Sequence, residues 1–319
     1  MFNWEKIGKV FDPRMIVGKE WIDEYAQAPS TLIYDDFVRV YFSTRSKKDK
    51  QGQFVSYSAF IDLDKSNLTK IINYAEEPIL KLGGKGTFDE FGTYPFSPIK
   101  KGKEIWGYYA GWTRCDSVPF NTAIGVAISL NNGKTFNKIG NGPLISYSIN
   151  EPFIISGPKI RKFNDKYYLF YISGKEWLIV NGNPEMSTKI RLAISDDGKE
   201  WIKVDQNLIS ETIDLTEAQA SPDVIFKNGK YHMFFCFWSP LNFRETKKRR
   251  IGYAYSKDLL NWTREDQKAG MIISEKGFDN EMQAYPHVFE VNNNIYMLYL
   301  GNEVGRYGFG LAKLKGDLI

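Results

Sequence analysis

The sequence predicts an all-β fold, a five-bladed β-propeller with four-stranded antiparallel blades and a ring closed by the N-terminal strand. Three observations predict it. Residues 217–262 read as four short strands joined by turns: 223–226, 231–238, 251–256, and a last one entered at Trp262 through a Lys257-Asp258 turn. The same unit recurs around Pro29, Pro95, Pro158, Pro222 and Pro286, at separations of 66, 63, 64 and 64 residues. No helical heptads fall between the units, and sheet-sized repeats of equal pitch that cover one another's faces make a radial array. Because the repeat fills the whole chain of 319 residues, one domain over 1–319 is expected.

Each element has a local reason. Asn3-Trp4-Glu5-Lys6-Ile7 resembles the outer strands of later blades at 201–204 and 262–264, whereas the last blade runs out at 311–314 with no such strand after it. An open sheet edge leaves backbone donors unpaired, so residues 4–7 are expected as the outermost strand of the last blade. After each proline a turn residue or Lys precedes an aromatic-rich strand, at 38–43, 105–110, 167–172, 231–237 and 295–300. Asn131-Asn132-Gly133 and Asp196-Asp197-Gly198 then supply turns that tolerate positive φ.

Aromatic content of 15% suits sheets stacked face to face, where flat rings fill the space between neighbours. The 42 basic and 38 acidic residues leave a net charge of +4, too mild for a polyanion partner, so nucleic acid is excluded. No apolar run suits a signal peptide or the roughly 20 residues of a membrane span, which predicts a cytoplasmic chain with no membrane partner. Cys115 and Cys236 have no metal-ligand spacing and read as reduced thiols, and His232 and His287 are too few for a His-based site. No metal and no cofactor are expected.

The proline-led strand, the aromatic strand, the Ile-x-x-Ala-x-Ser strand (as in 190–195) and the Asp-Gly-x-x-Trp turn (197–201) together resemble the five-bladed propellers of glycoside hydrolase families 43, 32 and 130. The ending, with Phe278-Asp279-Asn280-Glu281, Tyr285-Pro286 and Tyr307-Gly308-Phe309-Gly310, is similar to a branch labelled only as glycosidase-like. The resemblance implies an active site at one mouth of a central funnel, where carboxylates act as general acid and as base or nucleophile. One departure stands out: Ala28, Tyr94, Gly157, Ser221 and Tyr285 precede the repeat prolines, so the Asp-Pro signatures of those families are absent.

The repeat offers its own carboxylates five residues before the proline: Glu24, Glu90, Glu217 and Glu281, with Asp89 beside Glu90, and Glu151 in the third unit. If the inner strands begin at the prolines, these acids converge on one mouth, and mutual repulsion lets one stay protonated while another ionises. Glu217, Glu281, Asp89 and Glu90 are thus the candidate catalytic set. Glu217→Gln and Glu281→Gln are expected to keep the fold and lose activity. The same recurrence equally suits a clasp that fixes each blade.

Candidate substrate-binding residues are Arg45, Glu151, Gln219, Arg250, Gln283 and Asn302 for polar contacts, with Tyr94, Trp112, Trp177 and Tyr285 as platforms. In the basic run 247–250, otherwise a solvated face, Arg250 borders a strand and suits an anionic sugar or phosphate. The expected partner is a carbohydrate or sugar nucleotide. Two classes stay open: a glycan-active enzyme that hydrolyses, transfers or phosphorolyses a glycosidic bond, and a glycan-binding or scaffold propeller without catalysis.

Overall fold

The computed structural model describes residues 1–319, which form an all-β chain. β1 (Asn3–Phe11) precedes a first set, β2 (Glu24–Ile33), β3 (Phe37–Arg45), β4 (Ser56–Asp64) and β5 (Asn67–Tyr74). The second set is β6 (Gly92–Lys101), β7 (Glu104–Arg114), β8 (Phe120–Ser129) and β9 (Asn137–Lys138). The third is β10 (Ile155–Phe163), β11 (Lys166–Val180), β12 (Asn183–Ser195) and β13 (Ile202–Val204). The fourth is β14 (Ala218–Lys227), β15 (Lys230–Trp238), β16 (Arg250–Ser256) and β17 (Trp262–Arg264). The last is β18 (Ala284–Val291), β19 (Asn294–Leu300) and β20 (Phe309–Lys315).

Within each set, neighbours in sequence pair antiparallel. The third and fourth sets are separate four-stranded sheets; the first two are joined by a single parallel bridge, Ser56 to Gly92. The last three strands receive their fourth from the other end of the chain, with Trp4 opposite Leu314 and Lys6 opposite Ala312. That strand runs on to Phe11, longer than its sequence signal, because Gly8 and Lys9 keep pairing across two bulges. Trp4 is buried there and its indole N–H donates to Ala269 O at 2.9 Å.

The first strands of the sets lie in a closed circuit. Lys100 on β6 reaches Ile33 O on β2, Ile160 N on β10 donates to Ser97 Oγ on β6, and Arg161 Nε donates to Val224 O on β14. Val288 N on β18 then donates to Asp223 Oδ2 on β14, and Thr31 N on β2 to His287 Nε2 on β18. Between sets the faces are filled by rings: Tyr41 against Phe96 (5.2 Å) and Phe136 (6.0 Å), Tyr108 edge-on to Trp201 (5.7 Å), and Phe234 edge-on to Trp4 (5.6 Å).

The repeated turns close in one way. Ser195 Oγ accepts from Gly198 N, Asp197 Oδ1 accepts from Lys199 N and Glu200 N, and Trp201 Nε1 donates to Gly198 O. Ser256, Asp258 and Trp262 repeat that pattern. No helix is long and apolar enough to cross a membrane.

Candidate functional site

The repeat prolines lie inside the first strands, not at their starts, which corrects the expectation from sequence. At each one the register with the second strand slips, for example between Ser156 and Lys159 and between Ala284 and His287. Ala28, Gly157, Ser221 and Tyr285 hold φ between 50° and 62° just before their prolines. A bulge with a left-handed residue bends the strand and re-aims the side chains beyond it. It costs roughly 1–3 kcal/mol for a side chain as large as that of Tyr285.

Next to these bends, with Tyr94 and Tyr285 in its lining, lies a cavity of about 800 Å³ to which all five sets contribute. Tyr25, Gln27, Arg45 and Ser56 come from the first; Tyr94, Trp112 and Phe120 from the second; Ile154, Ser156 and Ile172 from the third. The fourth supplies Arg249, and Tyr285, Glu303 and Val304 complete the wall. Tyr94 Oη donates to Tyr285 Oη at 2.9 Å, and burial pushes the Tyr94 phenol well up, so it stays protonated. Trp112 lies over Gly92, where a Cβ would fall 1.6 Å from its indole nitrogen; only glycine admits the ring. The guanidinium of Arg45 stacks on Tyr25 (4.3 Å) and Phe54 (5.2 Å), and that of Arg249 on Trp238 (3.8 Å) and Phe243 (4.7 Å).

Beneath the cavity, Lys159, Asp223 and His287 form a buried polar cluster at matching points of three first strands. Lys159 Nζ donates to Pro29 O at 2.8 Å and lies 4.0 Å from Asp223, which also pairs with Arg161. His287 Nε2 accepts the Thr31 backbone N–H, so its proton sits on Nδ1, 2.5 Å from Asp223 Oδ2. Burial, outweighing Asp223, lowers His287 to about 4 and Lys159 to about 8.

The anticipated catalytic carboxylates do not line the cavity. Glu217 is fully buried and accepts from Arg264 Nη1 (2.6 Å), Gln219 Nε2 (2.9 Å), Thr212 N (3.0 Å) and Ile213 N (3.1 Å). Asp89 takes Tyr109 Oη at 2.9 Å and Lys138 Nζ at 2.5 Å, and Glu151 takes Tyr171 Oη at 3.0 Å and Lys203 Nζ at 2.6 Å. Asp279 takes Lys6 Nζ at 2.6 Å, Gln283 Nε2 at 2.8 Å and Tyr299 Oη at 3.3 Å. One clasp thus recurs four times: a carboxylate ahead of the first strand, bound by a basic residue of the outermost strand and, in three sets, by a second-strand tyrosine.

Glu90 is half-buried, with Oε2 accepting from Gly86 N, and Glu281 is exposed. Three clasp acids, Asp89, Glu151 and Asp279, stand eight positions before Ser97, Lys159 and His287, the residues that face the next strand of the circuit. Counting from the proline instead singled out Glu90 and Glu281. The readable signal was the dipeptide shared by Phe88-Asp89 and Phe278-Asp279, each Phe packing on the clasp tyrosine at 5.9 and 5.5 Å.

Arg45, Tyr94, Trp112 and Tyr285 do line the cavity, as Gln27, Tyr25, Phe54, Asp116, Arg249 and Glu303 do without having been singled out. Trp177 packs against the lining residue Phe120 at 5.6 Å and does not itself line the cavity. Gln219 and Gln283 belong to the clasps of Glu217 and Asp279. Asn302 Oδ1 takes the N–H groups of Glu281 and Met282. Arg250 donates to the carbonyls of Arg249 and Glu281 and does not line the cavity.

No family model matches the chain. A solved structure described as a glycoside hydrolase superposes with a TM-score of 0.76 at 15% identity, over 99% of this chain and 93% of that one. A thermostable family-43 glycoside hydrolase gives 0.66 at 15% identity, over 92% and 94%. The GH32 β-fructofuranosidase BmSUC1 of Bombyx mori gives 0.61 at 14% identity, over 93% of this chain and 63% of that one. The fold is therefore the propeller fold seen in glycoside hydrolases. In sequence, the uncharacterized proteins MT1551 and Rv1502 of two Mycobacterium tuberculosis strains are each 33% identical over 313 residues, 98% of this chain and 99% of theirs. With that identity over nearly the full length of both chains, this protein belongs to the family of those two mycobacterial proteins.

Proposed function

We propose that residues 1–319 form a single five-bladed β-propeller closed by β1, and that the cavity at its centre binds a carbohydrate. The closed circuit of β2, β6, β10, β14 and β18 supports the blade count. The observation that carries the ligand class is the lining. Tyr25, Phe54, Tyr94, Trp112, Phe120 and Tyr285 surround the cavity, with Gln27, Gln53, Ser56 and Thr122 among them. A sugar offers apolar C–H faces to aromatic rings and hydroxyl edges to amides and hydroxyls, and this wall alternates the two.

A second reading, glycosidic cleavage or transfer, needs an acid opposite a base or nucleophile roughly 5–10 Å away. One observation favours it: Asp116 and Glu303 both line the cavity. In this reading they take the roles first assigned to Glu217, Glu281, Asp89 and Glu90.

Trp112→Ala tests the ligand class. Against a panel of oligosaccharides, the wild type is expected to bind at least one, and the variant to bind it roughly 10-fold or more weakly, since loss of a buried aromatic anchor costs at least about 2 kcal/mol. An unchanged unfolding midpoint confirms that the variant is folded. Unaltered binding in the variant would place the ligand elsewhere. Turnover of a bound glycan that disappears in Asp116→Asn or Glu303→Gln would establish the enzymatic reading.

A further inference from the structure

The arginines of this chain divide into two groups. Every one outside the cavity wall except Arg250 is in an ion pair, including the buried Arg39 with Asp62 and Arg264 with Glu217. Arg250 is occupied by two backbone carbonyls. Arg45 and Arg249 pair with no carboxylate, and these two line the cavity. The Arg45 side chain makes one hydrogen bond, a long one of 3.4 Å to Gln27 Oε1. Arg249 makes no side-chain hydrogen bond, and its Nε and Nη1 are buried without a partner. Each guanidinium is held over aromatic rings, which fixes its position and leaves its charge unneutralised.

A half-buried cation without a counter-charge is a cost that folding alone does not repay. Two such cations converging on one cavity from different sheets give that cavity an unmet demand for negative charge. Its own acids do not meet it: Glu303 is committed to Arg306 at 3.0 Å, and Asp116 is exposed and pairs with neither arginine.

We propose that the carbohydrate bound in this cavity is anionic, and that Arg249 and Arg45 bind its carboxylate or phosphate group. The proposal rests on the carbohydrate reading above and sharpens it to an acidic class. Guanidinium is the side chain best matched to both anions, offering planar N–H donors and a charge that persists at any physiological pH. The rings beneath it exclude water and strengthen the pairing. Arg250, the sequence candidate for this role, is spent on the backbone; its neighbour Arg249 faces the ligand.

The test is a binding panel of three oligosaccharide classes, namely neutral, uronate-containing and phosphorylated (the last including sugar nucleotides), with inorganic phosphate and acetate as bare anion probes. Binding is expected in an acidic class and is expected to weaken with added salt. Whichever acidic class binds distinguishes carboxylate from phosphate. Arg249→Gln should weaken that ligand roughly 10- to 100-fold, the usual loss for a hydrogen bond to a charged group. Arg249→Lys should recover part of it. Arg45→Gln is the second variant, should Arg249→Gln fail to fold. Binding confined to neutral glycans, or acidic binding indifferent to both arginines, overturns the anionic assignment and leaves the carbohydrate reading intact. Capture of phosphate or acetate with no glycan of any class overturns the carbohydrate reading and retains the anion site.

Discussion

Asp89, Glu151, Glu217 and Asp279 meet the same kind of basic partner four times over, whereas the side chains of the cavity wall differ from set to set, the paired Tyr94 and Tyr285 excepted. Each clasp acid meets a basic residue on the outermost strand of its own set: Lys138, Lys203, Arg264 or Lys6. The wall instead takes Arg45 from one set, Trp112 from another and Arg249 from a third. A repeated sheet needs the same fastening in every copy, so recurrence marks architecture. A ligand without five-fold symmetry needs different groups around it. The first set fits this contrast from the other side: it has no such clasp, its Glu24 pairs with Arg306 of the last set, and it supplies Tyr25, Gln27, Arg45 and Ser56 to the wall.

The largest expected effect that can break the comparison is that of Glu217→Gln. It preserves shape but removes the charge facing Arg264, which is only 4% exposed. Breaking a buried pair this way costs about 3–5 kcal/mol, and Asp266, 2.8 Å from Arg264, softens the loss toward about 3 kcal/mol. Urea unfolding reads it directly. Glu281→Gln, on an exposed carboxylate, should stay within about 0.5 kcal/mol. A Glu217→Gln protein with wild-type stability and lost ligand binding would return that residue to the site.

An intermediate effect is expected from acid, because the cluster beneath the cavity contains a neutral histidine. Unfolded His287 takes up a proton near the usual 6.5, while burial in the folded protein, helped by the nearby Lys159 charge and opposed by Asp223, delays it to about 4. Between those values the unfolded chain binds more protons, so stability falls as pH falls. From about pH 7 to about pH 5 the loss from this group is about 2 kcal/mol. His232 is lowered as well, by burial, so the comparison is with His287→Gln, which should show a shallower acid limb. Equal slopes in both proteins would mean that His287 is already charged in the fold.

Much of the fold was legible in the sequence because strand periodicity and turn chemistry are local. The Ser-Asp-Gly-Trp turn at 195–201 closes through hydrogen bonds among near neighbours, and β1 was readable because its Trp resembles Trp201 and Trp262. The wall was less legible. Tyr94 and Tyr285 could be found from their place before a proline, but Arg249 sits in a basic run that looks like solvated loop, and only the rings of Trp238 and Phe243 give it a fixed position. The clasps were half-legible: Glu217 was found, while in the last set the proline count selected exposed Glu281 over buried Asp279, two residues away. Recurrence in a sequence shows which positions are equivalent and cannot show which way they face.

The smallest expected effect sharpens the comparison most, because the chain already contains the variant. Three clasps include a second-strand tyrosine: Tyr109, Tyr171 and Tyr299. Burial and the adjoining carboxylate raise all three phenols, so they remain donors. The fourth, at Glu217, has Phe235 at that place in β15, with Arg264 over its ring at 5.1 Å, and closes instead through Gln219 and two backbone N–H groups. Tyr171→Phe therefore copies an arrangement that the protein tolerates. Glu151 loses one donor at 3.0 Å but keeps Lys203 at 2.6 Å, so no buried charge is left bare. The loss should be about 1 kcal/mol, the ordinary net worth of a hydrogen bond, with ligand affinity unchanged. A loss of about 3 kcal/mol or more on the urea scale would mean that the clasp depends on its tyrosine and that the Phe235 set is not its equivalent. Weakened ligand binding at unchanged stability would mean that a residue of the repeated framework reaches the cavity after all, and the separation of fastening from recognition would fail at that point.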